Sequence, residues 1–360
     1  MKDEYYMEFA LRLASAVKGQ TSPNPQVGSV IVKEHTIVGF GSHLKAGEAH
    51  AEIHALNMAG DQANGATMYV TLEPCNHFGK TPPCTRAIIE AGIKEVVIAS
   101  VDRNPIVAGS GINQLQNAGI IVRTGIFQEQ ADQLNESFFH FAQTKQPFVT
   151  LKQAITLDGK TATKTGHSKW ITGQLSRKDV HTDRGLHDAV LVGIETVLAD
   201  NPSLTNRDGF PSKQPIRIVL DTHLRIPLDC KLVNDKEAPT WILTGSEVDS
   251  AKISRFQHEN VEIIRLSKPI IQIDDVLHIL AERDITSIYV EGGQKVQASF
   301  LKSGNVNRVI TYIAPKLIGG SDAYGMIAQL DVRSMEEAYP LQFEKVEQLG
   351  EDIKITSKRR

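Results

Sequence analysis

Cysteine is nearly absent: Cys75, Cys84 and Cys230 are the whole complement of a 360-residue chain. So few, and an odd number, exclude a disulfide framework and point to a reducing compartment, the cytoplasm. Charge of one sign is also missing. The formal net charge is −3, with 11 Lys+Arg against 14 Asp+Glu in residues 1–146 and 28 against 28 beyond. No whole-chain field draws the protein to nucleic acid or an anionic membrane, so an anionic ligand must be held by a few placed cations. No apolar run approaches the ~18 residues of a spanning helix. The N-terminus MKDEYYMEFALRLASAVKG lacks a signal-peptide pattern, with Asp3 and Glu4 where positive charge belongs and Arg12 interrupting the apolar stretch. It reads as an amphipathic helix with acids in its first turn.

With 41% hydrophobic residues the chain is long enough for two ordinary domains. GSVIVKEHTIVGFGSH has two β-branched runs around a turn, a hairpin signature. Beyond it, strands (ATMYVTLEP, KEVVIAS, IIVRTGI) alternate with helices of about ten residues, which predicts an α/β sheet with packed helices. Gln146-Pro147 breaks a helix before the strand FVTLKQAIT, placing a boundary at 145–147. The alternation then resumes through DAVLVGIETVLAD, IRIVLDT, TWILTG, VEIIRL, SIYVEGG and VNRVITYIAP, with helices over 274–283 and 294–303. Nearly all-apolar strands such as IRIVL and SIYV predict burial on both faces.

The first half carries His50-Ala51-Glu52 at a helix start, then Pro74-Cys75 after a strand and Cys84 after a loop. One imidazole and two thiolates suit Zn²⁺, and three ligands leave a fourth position for water, as in a catalytic rather than a structural site. The H-x-E…P-C-x-x-C pattern marks zinc deaminases, with the Glu as proton carrier. Glu52 fits that role, moving a proton from water to the departing nitrogen. The second cysteine lies nine positions after the first rather than three, and His77, inside the intervening loop, is a rival ligand. His54, one turn past His50, does not make a metalloprotease motif, because Ala51 holds the place its glutamate needs.

TSPNPQVGSVIV, HAEIHAL, YVTLEPCNHFGKTPPCTRAII and DRNP together resemble the deaminase half of the bifunctional riboflavin-biosynthesis deaminase/reductases, a family whose two cysteines are spaced as here. The resemblance implies a cytidine-deaminase-like domain over 1–145, with His50, Cys75 and Cys84 on one zinc ion and Glu52 as catalytic proton shuttle. It also implies substrate contacts at Asn24 and His43. Asp102 and Asn104 read first as a turn after a strand end.

The second half has no G-x-G-x-x-G after its first strand. It does have Glu291-Gly292-Gly293 between a strand and a helix, where free N–H groups and the helix dipole favour phosphate. Arg184 and Arg207 are candidates for a phosphate fork, and Lys152, a lysine inside a strand, is expected to face the site. LDGKTAT, SKWIT, VGIETVLADNPSLTNR, IRIVLDT, VEGG and YIAPKLIGG resemble the family's reductase half, similar in fold to dihydrofolate reductase. This implies an NADPH-dependent reductase domain over 147–360. NADPH contacts then fall on Ala154, Trp170, Thr196, Asp200, Thr222 and the stretch Gly293, Gln294, Lys295, Val296, Gln297, Ala298 and Ser299. Substrate contacts fall on Ser168, Arg184, Leu204, Arg207 and Glu291, and Asp200 is the candidate for a second, catalytic role.

The resulting expectation is a two-domain α/β enzyme, a homo-oligomer acting on a small pyrimidine ribosyl phosphate, with no nucleic-acid or membrane partner. One rival is a nucleoside or tRNA-type zinc deaminase with a non-catalytic, nucleotide-sensing C-terminal half. Another is a structural zinc domain for protein binding, against which three ligands beside an acid, rather than four Cys/His, already count.

Overall fold

A computed structural model describes residues 2–78, 82–104, 108–207, 213–256 and 258–360. The chain divides into two compact units, Met1–Lys145 and Gln146–Arg360.

In the first unit, α1 (Lys2–Ala16) precedes the hairpin of β1 (Gly28–Lys33) and β2 (Thr36–Ser42). Glu34 and His35 make its two-residue turn, both at positive φ. Then come α2 (Ala51–Ala59), β3 (Thr67–Leu72), α3 (Cys84–Glu90), β4 (Glu95–Ser100), α4 (Ser110–Asn117), β5 (Ile121–Thr124), α5 (Gln128–Leu134) and α6 (Glu136–Thr144). Among the described residues these strands form one sheet in the order β2-β1-β3-β4-β5. β1 is antiparallel to β2 and β3, while β3, β4 and β5 run parallel. Met68, Val70, Val96 and Ile98 on one face pack with Ala55, Ile88 and Leu115, and Val30, Tyr69 and Val97 on the other face pack with Met7 and Ala10.

Two glycines on one face of β2 bring α2 unusually close. A Cβ on Gly39 would stand 2.2 Å from the Ala55 carbonyl, and one on Gly41 would stand 2.5 Å from Cβ of His54. No side chain fits there, so the N-terminal end of α2 is held directly against the sheet.

In the second unit, β6 (Phe148–Thr156), β7 (Lys160–Ala162), α7 (Gln174–Leu186), β8 (Ala189–Gly193), α8 (Ile194–Asp200), β9 (Ile216–Leu220), α9 (Lys231–Asn234), β10 (Thr240–Thr244) and α10 (Ser250–Ile253) come first. They are followed by β11 (Val261–Arg265), α11 (Ile273–Glu282), β12 (Ser287–Val290), α12 (Gln294–Ser303), β13 (Arg308–Ala314), β14 (Tyr324–Gly325), β15 (Leu341–Leu349) and β16 (Asp352–Arg359). The described residues form one large sheet, β11-β10-β9-β8-β12-β6-β13-β16-β15, with β7 and β14 as a separate pair. It is parallel from β11 to β13 and antiparallel at β16 and β15. Residues of β8 and β12 are fully buried, as their apolar composition requires. Leu151, Leu191, Ile288 and Val290 face α11 and α12, while Val190, Val192, Tyr289 and Tyr312 face the opposite layer.

The strands expected from the sequence match β1 to β6 and β8 to β13, whereas the short β7, the helices α5, α7, α9 and α10, and the C-terminal hairpin of β15 and β16 carry no such signal. No helix among the described residues is long and apolar enough to cross a membrane.

Candidate functional sites

In the first unit three potential ligands converge. His50 precedes the first residue of α2, Cys75 follows the end of β3, and Cys84 opens α3. Their ligand atoms all lie within 4.8 Å of one another, and among the described residues His77 is not part of the group. His50 Nδ1 stands 3.5 Å from Cys75 Sγ and 3.2 Å from Cys84 Sγ, and the Cys84 N–H donates to Cys75 Sγ at 3.3 Å. Hydrogen bonds from Cys84 and His50 hold the Cys75 thiol down at about 4, against burial, while the same neighbouring sulfur and burial push Cys84 up. Two sulfurs this close compete for one negative charge, a conflict that a soft divalent cation in the proton's place removes. A borderline-soft N/S/S set of this size fits Zn²⁺.

Glu52 lies in the first turn of α2 and is 3% exposed. Burial first, then the charge on Cys75, raise its carboxyl to about 7. His43 is buried, and burial lowers its pKa. Nδ1 lies 3.2 Å from the Ala49 carbonyl and Nε2 lies 3.1 Å from Asn24 Nδ2. A neutral ring donating from Nδ1 and accepting at Nε2 satisfies both contacts. The His43 and His50 rings meet edge-on at 5.1 Å, so Asn24 and His43 stand beside the metal ligands.

Glu73 lies between β3 and Pro74, and its residue type and spacing alone point to no role. Buried, it accepts from the backbone N–H groups of Asp102, Gly109, Gly111 and Ile112 at 2.9–3.2 Å. It ties the strand that delivers Cys75 to the start of α4. All four donors are main-chain groups, which leave no mark in a sequence pattern. Asp102 accepts from the Asn104 N–H at 2.8 Å, the turn read from DRNP.

In the second unit, the turns after β8 and β12 sit side by side. A Cβ on Gly193 would come within 2.7 Å of Val296 Cγ2, one on Gly292 within 2.5 Å of Val296 Cβ, and one on Gly293 within 3.9 Å of Thr196 Oγ1. The first turns of α8 and α12 therefore meet over bare backbone, as close approach of a phosphate requires. Gly293, Gln294, Lys295 and Val296 belong to that edge. Gln297 is turned inward: its amide donates to the carbonyls of Lys152 and Gly292 at 2.9 and 3.3 Å. Ala298 is buried, and the Ser299 hydroxyl bonds back to the Lys295 carbonyl.

Asp200 ends α8 and pairs with Lys169 at 3.1 Å, which holds the segment Ser168–Trp170 beside that helix. Trp170 is exposed and stacks against Arg177. Thr222 follows β9, its carbonyl accepting from the Gly245 N–H, and Ala154 is half-buried on β6.

The Arg184 fork is filled by Glu291, at 2.5 and 3.0 Å, and Lys152 Nζ lies 3.6 Å from the same carboxylate. Burial holds Lys152 below the usual lysine range, while Arg184 and Lys152 hold Glu291 near 2 against its own burial. Arg184 also donates to the Thr205 carbonyl at 3.1 Å. His181 joins this group unforeseen: Nδ1 lies 2.9 Å from the Thr205 carbonyl and Nε2 lies 3.4 Å from Arg207. Leu204 is buried in the core at positive φ, so it offers a ligand only its main chain. Arg217, fully buried, donates to Ser203 O and to Asp235, anchoring the base of the loop.

A zinc-type ligand triad beside a buried acid, followed by a parallel-sheet domain with a phosphate-receptive turn, defines a deaminase joined to a reductase. Comparison with known proteins agrees. The cytidine and deoxycytidylate deaminase zinc-binding region matches residues 1–100, and the RibD C-terminal domain matches residues 147–355. The riboflavin biosynthesis protein RibD of Bacillus amyloliquefaciens is 51% identical over 99% of this chain and 96% of its own, and that of Aquifex aeolicus is 48% identical over 99% and 98%. Among solved structures, RibD of Acinetobacter baumannii superposes with a TM-score of 0.89 at 39% identity, covering 100% of this chain and 99% of its own. A Thermotoga maritima structure described as a diaminohydroxyphosphoribosylaminopyrimidine deaminase/5-amino-6-(5-phosphoribosylamino)uracil reductase gives 0.88 at 36%, with the same coverage. The chain belongs to the RibD family of bifunctional riboflavin-biosynthesis enzymes. A nucleoside or tRNA-type deaminase with a sensing domain is not favoured.

Proposed function

We propose that the first unit hydrolytically deaminates 2,5-diamino-6-ribosylamino-4(3H)-pyrimidinone 5′-phosphate and that the second reduces the ribosyl group of the product to ribityl with NADPH. The observation that carries this reading is the convergence of His50 Nδ1, Cys75 Sγ and Cys84 Sγ beside buried Glu52, in a chain whose second half is a RibD reductase domain.

His50, Cys75 and Cys84 hold one Zn²⁺, which when bound lowers the pKa of water towards ~7. Glu52 accepts the proton of the attacking water on its carboxylate and returns it to the departing amino nitrogen, so ammonia leaves. Asn24 and His43 orient the pyrimidine. NADPH, when bound, supplies hydride for C1′ of the ring-opened sugar. The first turns of α8 and α12 and Ala154, Trp170, Thr196, Asp200 and Thr222 cradle the cofactor, of which Asp200 also takes the polar catalytic role. The stretch Gly293, Gln294, Lys295, Val296, Gln297, Ala298 and Ser299 borders the cofactor, with Gln297 holding the turn through the carbonyls of Lys152 and Gly292. Ser168, Arg184, the Leu204 main chain, Arg207 and Glu291 contact the substrate, Arg207 at its phosphate, and Lys152 faces them. NADPH rather than NADH follows from family membership.

The enzyme acts in the cytoplasm, in keeping with its three free cysteines, and associates with itself. A bulge between Phe343 and Lys345 leaves Phe343 and Val346 on one face of edge strand β15, 68% and 60% exposed, which supports self-association.

Zinc analysis combined with a coupled assay tests the reading. With NADPH and the diaminopyrimidine phosphate, the protein is expected to hold one zinc per chain, release ammonia and then consume NADPH. Ammonia release with no NADPH consumption would leave the second unit a non-catalytic, nucleotide-sensing domain, and the absence of both would overturn the reading.

A further inference from the structure

Helix α7 meets the sheet with charge. Asp179 and Asp183 lie one turn apart and reach the layer of β12, β13 and β16. The buried Tyr312 hydroxyl donates to Asp179 at 2.5 Å and to Asp183 at 3.2 Å, and Tyr289 donates to Asp183 at 3.3 Å. Directly opposite Tyr312 in the β13–β16 register stands Lys354, whose Nζ lies 2.5 Å from Asp179 and 3.4 Å from Asp183. The Lys354 side chain is 11% exposed, so the contact is sheltered from solvent. Two residues earlier on the same strand, buried Asp352 accepts from the Gly173 N–H at 2.7 Å and the Ser176 hydroxyl at 2.6 Å, at the start of α7. One strand thus grips the helix at its first turn and again at its middle. The residue after Asp183 is Arg184, whose fork closes on Glu291.

We propose that Lys354 is a positioning residue of the reductase site, binding Asp179 and Asp183 so that α7 lies where Arg184 meets Glu291. The proposal rests on the reductase reading above. Without the ammonium, two carboxylates one turn apart keep only the hydroxyls of Tyr312 and Tyr289, neither of which carries charge, and mutual repulsion drives α7 off the sheet. A displacement of about 1 Å at a substrate-orienting group costs about 10- to 100-fold in rate.

The groups facing the two aspartates are Lys354 from β16, Tyr312 from β13, Tyr289 from β12 and Lys152 from β6, with His187 at the end of α7 itself. In the parent the ammonium stands against both carboxylates; in Lys354→Met the two negative charges face each other without it, and removing one of them with Asp179→Asn restores the net charge of the parent set.

The experiment follows NADPH consumption on the deaminated substrate, with kcat and KM of each variant read separately. Lys354→Met is expected to lie about 10- to 100-fold below the parent in kcat/KM, with ammonia release unchanged. The charge-balanced double variant Lys354→Met/Asp179→Asn, and Lys354→Arg, are expected to stay within about threefold of the parent. Parental kcat/KM for Lys354→Met overturns the proposal, as does a loss that Asp179→Asn does not relieve. If Lys354→Met does not fold, the double variant decides alone, since a deep loss there overturns the proposal too. Glu291→Gln separates the two readings. If it reduces normally, the reductase site is misassigned; if it is inactive while Lys354→Met is indifferent, only the positioning role falls.

Discussion

Replacing Glu52 by Gln separates metal binding from proton transfer. The side chain is 3% exposed, in the first turn of α2, two residues past the ligand His50. A carboxamide has the same shape, so the turn and the ligands His50, Cys75 and Cys84 keep their places. What disappears is the group that carries a proton between water and the leaving nitrogen. That contribution is typically about 10²–10⁴-fold, or about 3–5 kcal/mol of barrier at roughly 1.4 kcal/mol per decade. Three readings on one preparation make the case: zinc content, ammonia release from the diaminopyrimidine phosphate, and NADPH consumption with deaminated substrate supplied. The expected outcome is parental zinc, ammonia release lowered by at least about a hundredfold, and a parental reductase rate. Deamination at the parental rate would remove Glu52 from the mechanism, whereas loss of zinc would make it a structural prop of the triad.

Cys84→Ser exchanges a soft donor for a weak hard one and is expected to cut zinc content and abolish ammonia release while NADPH consumption persists; retained zinc by metal analysis would move the site elsewhere. Arg207→Ala is expected to raise the reductase KM for the phosphorylated substrate with little change in kcat, and an unchanged KM would take Arg207 out of the phosphate contacts. Glu73→Gln puts an NH₂ group where four backbone N–H donors converge. It is expected to destabilise the first unit by about 2–3 kcal/mol, the scale of a buried charged hydrogen bond, seen as a lowered midpoint of thermal unfolding, which an unchanged midpoint would contradict.

The legible parts of the sequence share one property: they are written locally. His50 and Glu52 open a helix with alanines at its buried positions, Cys75 follows a run of buried strand residues, and the Gly292–Gly293 turn lies between an all-apolar strand and a helix. Helix α7 escaped notice because of what it packs against. Its buried positions are Ser176, Val180 and Gly185, and its working face is Asp179, Asp183 and Arg184. These acquire meaning only from Tyr289, Glu291, Tyr312 and Lys354, more than a hundred residues later. The C-terminal hairpin hid behind a different device. Apolar alternation in LQFEKVEQL breaks at the bulge between Phe343 and Lys345, so a period-2 reading fails just where the strand is longest. Strand order was equally out of reach: β12 lies between β8 and β6, and nothing local says so.

The second unit has no net charge, yet its proposed substrate is a phosphate, and the buried groups resolve the tension. Lys152, Arg184 and Lys354 face Glu291, Asp179 and Asp183, three cations against three anions in one sheltered layer. A balanced set of this kind is already satisfied, so an incoming phosphate gains little by competing with Glu291 for Arg184. Arg207 is different: exposed, and in contact among the described residues with His181 at 3.4 Å, it has donors to offer without breaking a buried pair. The cluster orients and Arg207 recruits. On that division, Arg207→Ala acts on KM, whereas disturbing the cluster acts on kcat.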